Sequence, residues 1–175
     1  NQYVTTPIGI CLEDMRNEVL KQSKNTLYYP VDPTSRHDAY VGGTLSCNAS
    51  GFIPGDKGAT RYWVKEIELM LINGYSLKIE RGEYISSDGY FNIRYGNKNI
   101  ILPIPRYSRP KIKNASGPYS SLDNEIDFID LIIGSEGIFG MILSCKFNLA
   151  KKPKEYLELF LRLESENHAV CLHSY

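Results

Sequence analysis

Glu66-Ile67-Glu68-Leu69-Met70-Leu71-Ile72-Asn73-Gly74-Tyr75-Ser76-Leu77-Lys78-Ile79-Glu80 holds two alternating runs on either side of an Asn-Gly pair. Ile67, Leu69 and Leu71 alternate with Glu66, Glu68 and Met70, and Leu77 and Ile79 alternate with Ser76, Lys78 and Glu80. A period of two sends successive side chains to opposite faces of a strand. Asn-Gly tolerates the positive φ that a tight turn between antiparallel strands requires. This stretch therefore predicts an antiparallel hairpin.

Working outward, Met141, Leu143, Cys145, Phe147 and Leu149 alternate with Ser144, Lys146 and Asn148, which predicts a strand over 141–149. Ile126, Ile129, Leu131 and Ile133 read as an apolar helix face ended by Gly134. Upstream, Leu12, Met15 and Val19 recur at helical spacing behind Thr5-Thr6-Pro7, with Glu13 and Asp14 in the first turns. That pattern predicts a helix over about 11–22. Residues 81–124 are rich in Gly, Pro, Asn, Ser and Tyr, and read as loops with one short strand near 99–102. After the polar break at 151–154, Leu157, Leu159, Leu161 and Leu163 alternate with polar residues and predict a last strand over 156–163. Antiparallel strands with helices between them, and no regular βαβ alternation, indicate an α+β fold.

Bulk properties exclude several classes. The chain has 175 residues, 42% hydrophobic and 23% charged, with 20 basic and 20 acidic side chains. A neutral balance argues against nucleic acid as a partner. No apolar run is long enough for a transmembrane segment, and no signal peptide is visible. Cys11, Cys47, Cys145 and Cys171 are scattered, and His37, His168 and His173 have no partners at ligand spacing. These features predict free thiols in a reducing, cytoplasmic setting and no metal site.

Two stretches carry candidate binding chemistry. The first is Tyr29-Pro30-Val31-Asp32-Pro33-Thr34-Ser35, five further residues ending at Tyr40, and then Val41-Gly42-Gly43-Thr44-Leu45-Ser46-Cys47-Asn48-Ala49-Ser50-Gly51. Small side chains uncover main-chain N–H groups, which hold a diphosphate without net positive charge. Read from these residues alone, a small-residue helix packed on a sheet is the alternative. The second is Asp130-Leu131-Ile132-Ile133-Gly134-Ser135-Glu136-Gly137-Ile138-Phe139-Gly140-Met141-Ile142: a helix, a glycine-punctuated turn and entry into a buried strand.

Both stretches resemble the FAD-linked oxidases, the PCMH-type FAD-binding family of the vanillyl-alcohol oxidase superfamily. The second is similar to that family's D-L-x-x-G-S-E-G-x-x-G-I-I signature, and the likeness runs over residues 5–165. The resemblance implies the second subdomain of a PCMH-type FAD-binding domain over 1–150, an antiparallel sheet flanked by helices. Over 151–175 it implies a linker and the first strand of a substrate (cap) domain. FAD is the implied cofactor. Carried over by position, Pro33, Thr34, Ser35, Tyr40, Val41, Gly42, Gly43, Cys47, Asn48, Ala49 and Ser50 lie beside flavin and pyrophosphate. Glu136, Gly137, Ile138, Gly140, Met141 and Ile142 serve the adenine and ribose end.

Two further matches are looser. Gly58-Ala59-Thr60-Arg61-Tyr62-Trp63-Val64 resembles G-x-x-R-D-x-V with Tyr62 in place of aspartate, so Arg61 reads as a structural pairing residue. Lys111-Ile112-Lys113-Asn114-Ala115-Ser116-Gly117-Pro118-Tyr119 resembles K-N-x-x-G-Y, interrupted by Pro118, and implies that Lys113 and Asn114 lie near the substrate. His37 reads as a solvent-facing loop residue, and the resemblance fixes no catalytic residue.

The implied parent is a flavoprotein oxidoreductase. It would move hydride from a hydroxyl-bearing substrate to flavin N5, with an electron-acceptor partner and peripheral membrane association within reach. Small 2-hydroxy acids such as D-lactate or glycolate are the expected substrates. A sugar or aldonolactone oxidase, an ether-lipid synthase on the same scaffold, and an interaction module that has lost the cofactor are the alternatives. Members of the family hold the pyrophosphate in a preceding subdomain, so this length alone is expected to be inactive and to bind FAD weakly or not at all.

Overall fold

The computed structural model describes residues 2–110, 112–114, 118–121, 125–157 and 160–173. The hairpin forms as its alternation requires. Strands β3 (Val64–Met70) and β4 (Ser76–Glu80) pair antiparallel, with Ile67 opposite Ile79 and Leu69 opposite Leu77. At the turn Gly74 takes φ +81° and its N–H donates to the Leu71 carbonyl at 2.9 Å.

Strand β7 (Met141–Asn148) lies along the other edge of β3, and β1 (Tyr3–Pro7) lies beyond it. The sheet runs β1-β7-β3-β4, antiparallel throughout. Thr5-Thr6-Pro7, expected to start a helix, belongs to this edge strand instead. The β-branched run Val4-Thr5-Thr6 suits a pleated edge, and proline is tolerated there. Helix α1 (Leu12–Gln22) starts from Cys11 and buries the predicted Leu12, Met15 and Val19.

The alternation expected along 141–149 is broken once. Ser144 faces Glu68 and Ile142 faces Leu69, so β7 advances two residues while β3 advances one. A bulge of this kind reverses the face presented by the residues beyond it. Ile142 is therefore buried and Met141 exposed, while Cys145, Phe147 and Leu149 keep the predicted inward phase.

Between β4 and β7 the chain makes a second hairpin, β5 (Tyr90–Tyr95) with β6 (Lys98–Pro103). The single strand expected near 99–102 is the second arm of this pair. Its Gly96-Asn97 turn is the two-residue hairpin signal, with Gly96 at φ +54°. Helix α4 is shorter than expected, Phe128–Ile132. Asp127 cuts its start: Oδ1 accepts the Ile129 N–H at 2.8 Å and Oδ2 accepts the Gly82 N–H at 2.6 Å.

Helices α2 (Val41–Ser46) and α3 (Thr60–Trp63) and the pair β2 (Leu27–Tyr28) with β8 (Ala150–Lys151) complete this body. Side chains of α1, α2, α4 and the sheet share one core, in which the Tyr29 and Phe147 rings pack at a tilt with their centres 4.7 Å apart. Lys152 is still tied in, its N–H donating to the Thr26 carbonyl at 2.9 Å. Past it, the strand expected over 156–163 is not formed by the residues described there, while Glu158 and Leu159 lie outside the described residues. Leu157, Phe160, Leu161 and Leu163 are exposed, and none of the described strands lies beside them to complete a ladder. Helix α5 (Glu166–His173) follows.

Candidate functional site

The two glycine-marked stretches meet. Val41–Ser46 is helical, and the turn after α4 is bound to its C-terminal end. Gly134 N–H donates to the Leu45 carbonyl at 2.9 Å, and Glu136 N–H donates to the Ser46 carbonyl at 3.0 Å. One cleft of about 830 Å³ opens between them, with Gly42 and Ser46 on one wall and Gly137–Ile142 on the other. The tip of the first hairpin, Met70–Gly74, closes its end together with Ile8 and Ile100. None of these lining residues carries a charge.

The glycines here have different causes. A Cβ at Gly42 would approach Ile8 Cβ at 3.0 Å, so this residue is small to let α2 sit against the β1–α1 connection. Gly140 has φ +145°, and a Cβ there would meet the Met70 carbonyl oxygen at 2.5 Å. Gly137 has φ +83°, and its nearest neighbour would be Gly140 O at 3.9 Å, so a side chain would project into the cleft. The N–H groups of Val41 and Gly42 are already donated to the carbonyls of Ile10 and Ile8, at 3.0 and 2.9 Å.

A second cleft, of about 680 Å³, lies where the loop after β6 crosses α3. Asn48, Lys113 and Asn114 line it, beside Arg61, Arg81, Tyr107, Arg109, Tyr119 and Asp130. Asn48 is buried at φ +48°, and its Oδ1 accepts the Arg61 N–H at 2.9 Å. Arg61 donates from Nε to Asp130 O at 3.1 Å and from Nη2 to Ile133 O. Burial pulls its pKa down to about 10, although Asp130 works against that. Arg81 meets Asp130 Oδ1 at 2.9 Å, yet burial still holds the Asp130 carboxyl above its usual range. Arg61 is thus the structural pairing residue its sequence context predicts. Lys113 Nζ donates to Gly51 O at 2.8 Å and Ile53 O at 3.0 Å.

The remaining sequence-predicted residues line neither cleft. Pro33, Thr34, Ser35 and Tyr40 belong to the turn over the start of α1, where Leu12 N–H donates to Ala39 O and Glu13 N–H to Arg36 O. Val41 is in the core; Gly43 and Cys47 face outward. Ala49 O accepts from Thr60 Oγ1 at 2.8 Å, and Ser50 bridges to Ala59. Glu136 is exposed at φ +54°. His37 is exposed. Lys111 and Ala115–Gly117 of the K-N-x-x-G-Y match lie outside the described residues. The hairpin tip, Ile8 and Arg109 are lining residues that sequence reasoning missed. A turn signal marks where a hairpin ends and carries no information about what that end touches. Among the described residues no three His, Cys, Asp or Glu side chains gather as a metal site, and no helix is long and apolar enough to cross a membrane.

The chain is an α+β body, an antiparallel sheet flanked by helices, with an uncharged cleft between two glycine turns. Alkyldihydroxyacetonephosphate synthase has this fold, superposing over 88% of this chain and 20% of its own with a TM-score of 0.54 at 15% identity. A second crystal form of that enzyme gives 0.52 at 16%. In sequence the chain is 25% identical over 165 residues to D-2-hydroxyglutarate dehydrogenase of Xanthomonas citri pv. viticola, covering 94% of this chain and 27% of that one. It is 25% identical to D-lactate dehydrogenase of Anaerostipes hadrus, over 94% of this chain and 26% of that one. No family model matches the chain. The chain is similar in sequence to these two dehydrogenases and spans about a quarter of the length of the curated relatives it matches.

Proposed function

We propose that this chain is the FAD-binding part of a flavoprotein oxidoreductase that oxidises a hydroxyl-bearing substrate, a small 2-hydroxy acid of the D-lactate or glycolate type. The observation that carries the reading is the shared cleft: Gly42 and Gly137 stand far apart in sequence and line one trough. Its volume lies within the few hundred to about 1,000 Å³ usual for small-molecule sites. The open space at Gly137 is the kind a side chain would fill and a ligand can occupy. Ile8, Ile138 and Ile142 offer flat-ring contact, and Ser46 and Asn73 offer polar contact to a sugar. The uncharged lining fits the ring and ribose portions of FAD, not its diphosphate.

In this reading Gly42, Gly137, Ile138, Gly140, Met141 and Ile142 hold the cofactor. Pro33, Thr34, Ser35, Tyr40, Val41, Gly43, Cys47, Ala49, Ser50 and Glu136 belong to the segments that flank this cleft without lining it, and Asn48 faces the second cleft. Lys113 and Asn114 stand on the substrate side, in the second cleft. The bound flavin supplies the hydride chemistry, and the chain's own residues bind, orient and exclude water. In this reading the stretch 151–175 supplies the linker and the beginning of the part of the parent that binds substrate. A cytoplasmic setting and an electron-acceptor partner belong to the same proposal.

Purified full-length protein tests it. The expected preparation is yellow, shows flavin absorption bands, and bleaches when D-lactate or glycolate is added without oxygen. A colourless protein that cannot be reconstituted with FAD overturns the reading.

A further inference from the structure

Asn73-Gly74 is the only place in the chain where an asparagine precedes a glycine. The pair sits at the tip of the β3–β4 hairpin, where Ile72, Asn73, Gly74 and Tyr75 are all exposed. Gly74 N–H donates to Leu71 O at 2.9 Å and Leu71 N–H to Tyr75 O at 2.8 Å, which closes the loop. Asn73 Oδ1 accepts the Tyr75 N–H at 3.3 Å. Short asparagine side chains commonly bond the backbone two residues on. Here that bond folds the Asn73 side chain forward across the Gly74 peptide, which brings its carbonyl carbon toward the Gly74 nitrogen.

The same bond has an electronic effect. A donor already aimed at Oδ1 stabilises the negative charge that would develop there if a nucleophile attacked Cγ. Gly74 has no side chain to shield its nitrogen, and a Cβ built on it would meet nothing within 4 Å. The restraint is the bond from Gly74 N–H to Leu71 O. One exposed backbone hydrogen bond, exchanged for water, is a weak one. Asn48 is the contrast: it is 5% exposed, its Oδ1 is held by the Arg61 N–H at 2.9 Å, and the residue after it, Ala49, carries a Cβ.

We propose that Asn73 is a self-modifying site. Hydroxide removes the Gly74 amide proton, and the nitrogen attacks Asn73 Cγ. A C–N bond forms, the bond from Cγ to Nδ2 breaks, and Nδ2 takes up protons from water and leaves as ammonia. The cyclic imide that remains is opened by water at either of its two carbonyl carbons. One opening leaves an aspartate; the other leaves an isoaspartate, with the backbone rerouted through the former side chain. Asn73 and Gly74 both line the uncharged cleft, so the reaction sets a carboxylate at its edge and the cleft changes with the age of the molecule. Nothing in this step depends on what the cleft binds.

The test holds full-length protein at pH 8 in buffer made with H₂¹⁸O, once folded and once in urea, and then digests it with trypsin in ordinary water. Cleavage after Lys65 and Lys78 frees residues 66–78 as one peptide for mass spectrometry. Acid formed during digestion carries no label and is not counted. The expected result is ¹⁸O-labelled aspartate and isoaspartate at position 73, accumulating faster as pH rises. The folded rate should be no less than a tenth of that in urea, and at least tenfold above that at Asn48. Asn73→Gln, with a longer side chain, should keep its amide. A folded Asn73 that stays intact, or labelling of Asn48 at the rate of Asn73, overturns the assignment. The main readout is taken on the unsubstituted protein, so the behaviour of a variant does not decide it. No FAD is needed, so loss of the flavin reading would leave this one standing, and an intact Asn73 would leave the flavin reading untouched.

Discussion

The Glu136 N–H donates to the Ser46 carbonyl at 3.0 Å, and this bond ties the turn after α4 to the last residue of α2. It joins residues ninety positions apart, so the uncharged cleft exists only in the folded chain. Glycine substitutions around it should separate fold from binding. Gly137→Ala places a methyl group in the cleft at φ +83°, a conformation that costs a residue with a Cβ about 1–2 kcal/mol. Gly43→Ala meets nothing within 4 Å and sits in a helix, where alanine gains up to about 1 kcal/mol. In full-length protein, Gly137→Ala is expected to weaken FAD binding at least tenfold, and Gly43→Ala to leave it unchanged. Calorimetric titration with FAD and urea midpoints check both. Equal FAD affinities in the two variants would place the cofactor elsewhere.

Gly140 answers to the sheet. Its Cβ would stand 2.5 Å from the Met70 carbonyl oxygen, which β3 holds rigidly. Gly140→Ala must shift backbone at the point where β7 enters the sheet, at a cost of about 2 kcal/mol. A urea midpoint equal to that of the parent would show that the approach of Met70 to this turn is looser than described.

Much of the fold was legible because local chemistry and the tertiary outcome agree. Leu12, Met15 and Val19 mark a helix, and Ile67, Leu69, Leu77 and Ile79 mark a hairpin; both form where the spacing predicts. What stayed hidden depends on partners. Thr5-Thr6-Pro7 carries helix-start signals, but pairing with Cys145 and Ser144 on β7 makes it a strand. The bulge at Leu143 is set by register against Glu68 and Leu69, and nothing in the alternation announces it. The leucines after residue 156 read as a strand, yet a strand needs a neighbour for its N–H and C=O groups. For the site, the sequence marks the small residues, and only the topology brings the hairpin tip and Ile8 against them.

The pair Arg81 and Asp130 predicts a pH dependence. Burial already raises the Asp130 carboxyl above the 3.8 of an unfolded chain, and Arg81 is the main group opposing that rise. Arg81→Met removes the opposition and moves the folded pKa further up. A carboxyl whose folded pKa lies above its unfolded value is protonated more readily in the native state. Its charge therefore destabilises at neutral pH, and stability returns as pH falls through the folded pKa. Arg81→Met should cost about 1–3 kcal/mol at pH 7, discounted because both side chains keep some solvent contact, and less near pH 4–5. Urea denaturation at the two pH values measures this. A loss that stays constant with pH would mean that Asp130 does not carry the penalty.

The cysteines should react in an order set by burial. Cys145 is 2% exposed, and burial pushes its thiol far above the usual range, so it has neither access nor thiolate character. Cys47 and Cys171 are exposed free thiols. Timed labelling with a maleimide, read by mass spectrometry after digestion, should mark Cys47 and Cys171 first. Cys145 should react only when urea unfolds the sheet. Labelling of Cys145 at the rate of Cys47 in native buffer would contradict the packing of β7 against the core.

Asn48 is the residue whose role differs most between its sequence context and its surroundings. It sits inside the small-residue stretch, yet it faces the second cleft, at φ +48° and 5% exposed. Its Oδ1 takes the Arg61 N–H at 2.9 Å, and Arg61 in turn reaches the carbonyls of Asp130 and Ile133. Asn48 therefore locks α3 to the end of α4. Two variants divide its contribution. Asn48→Gly keeps the backbone conformation and loses the hydrogen bond, at a cost of about 1–2 kcal/mol. Asn48→Ala loses the bond and strains the backbone, adding about 1 kcal/mol. The expected order of urea midpoints is parent, then glycine, then alanine, with FAD affinity in full-length protein falling less than in Gly137→Ala. An alanine variant as stable as the glycine one would show that positive φ is not imposed at this position. The Asn48–Arg61 bond alone would then account for the asparagine.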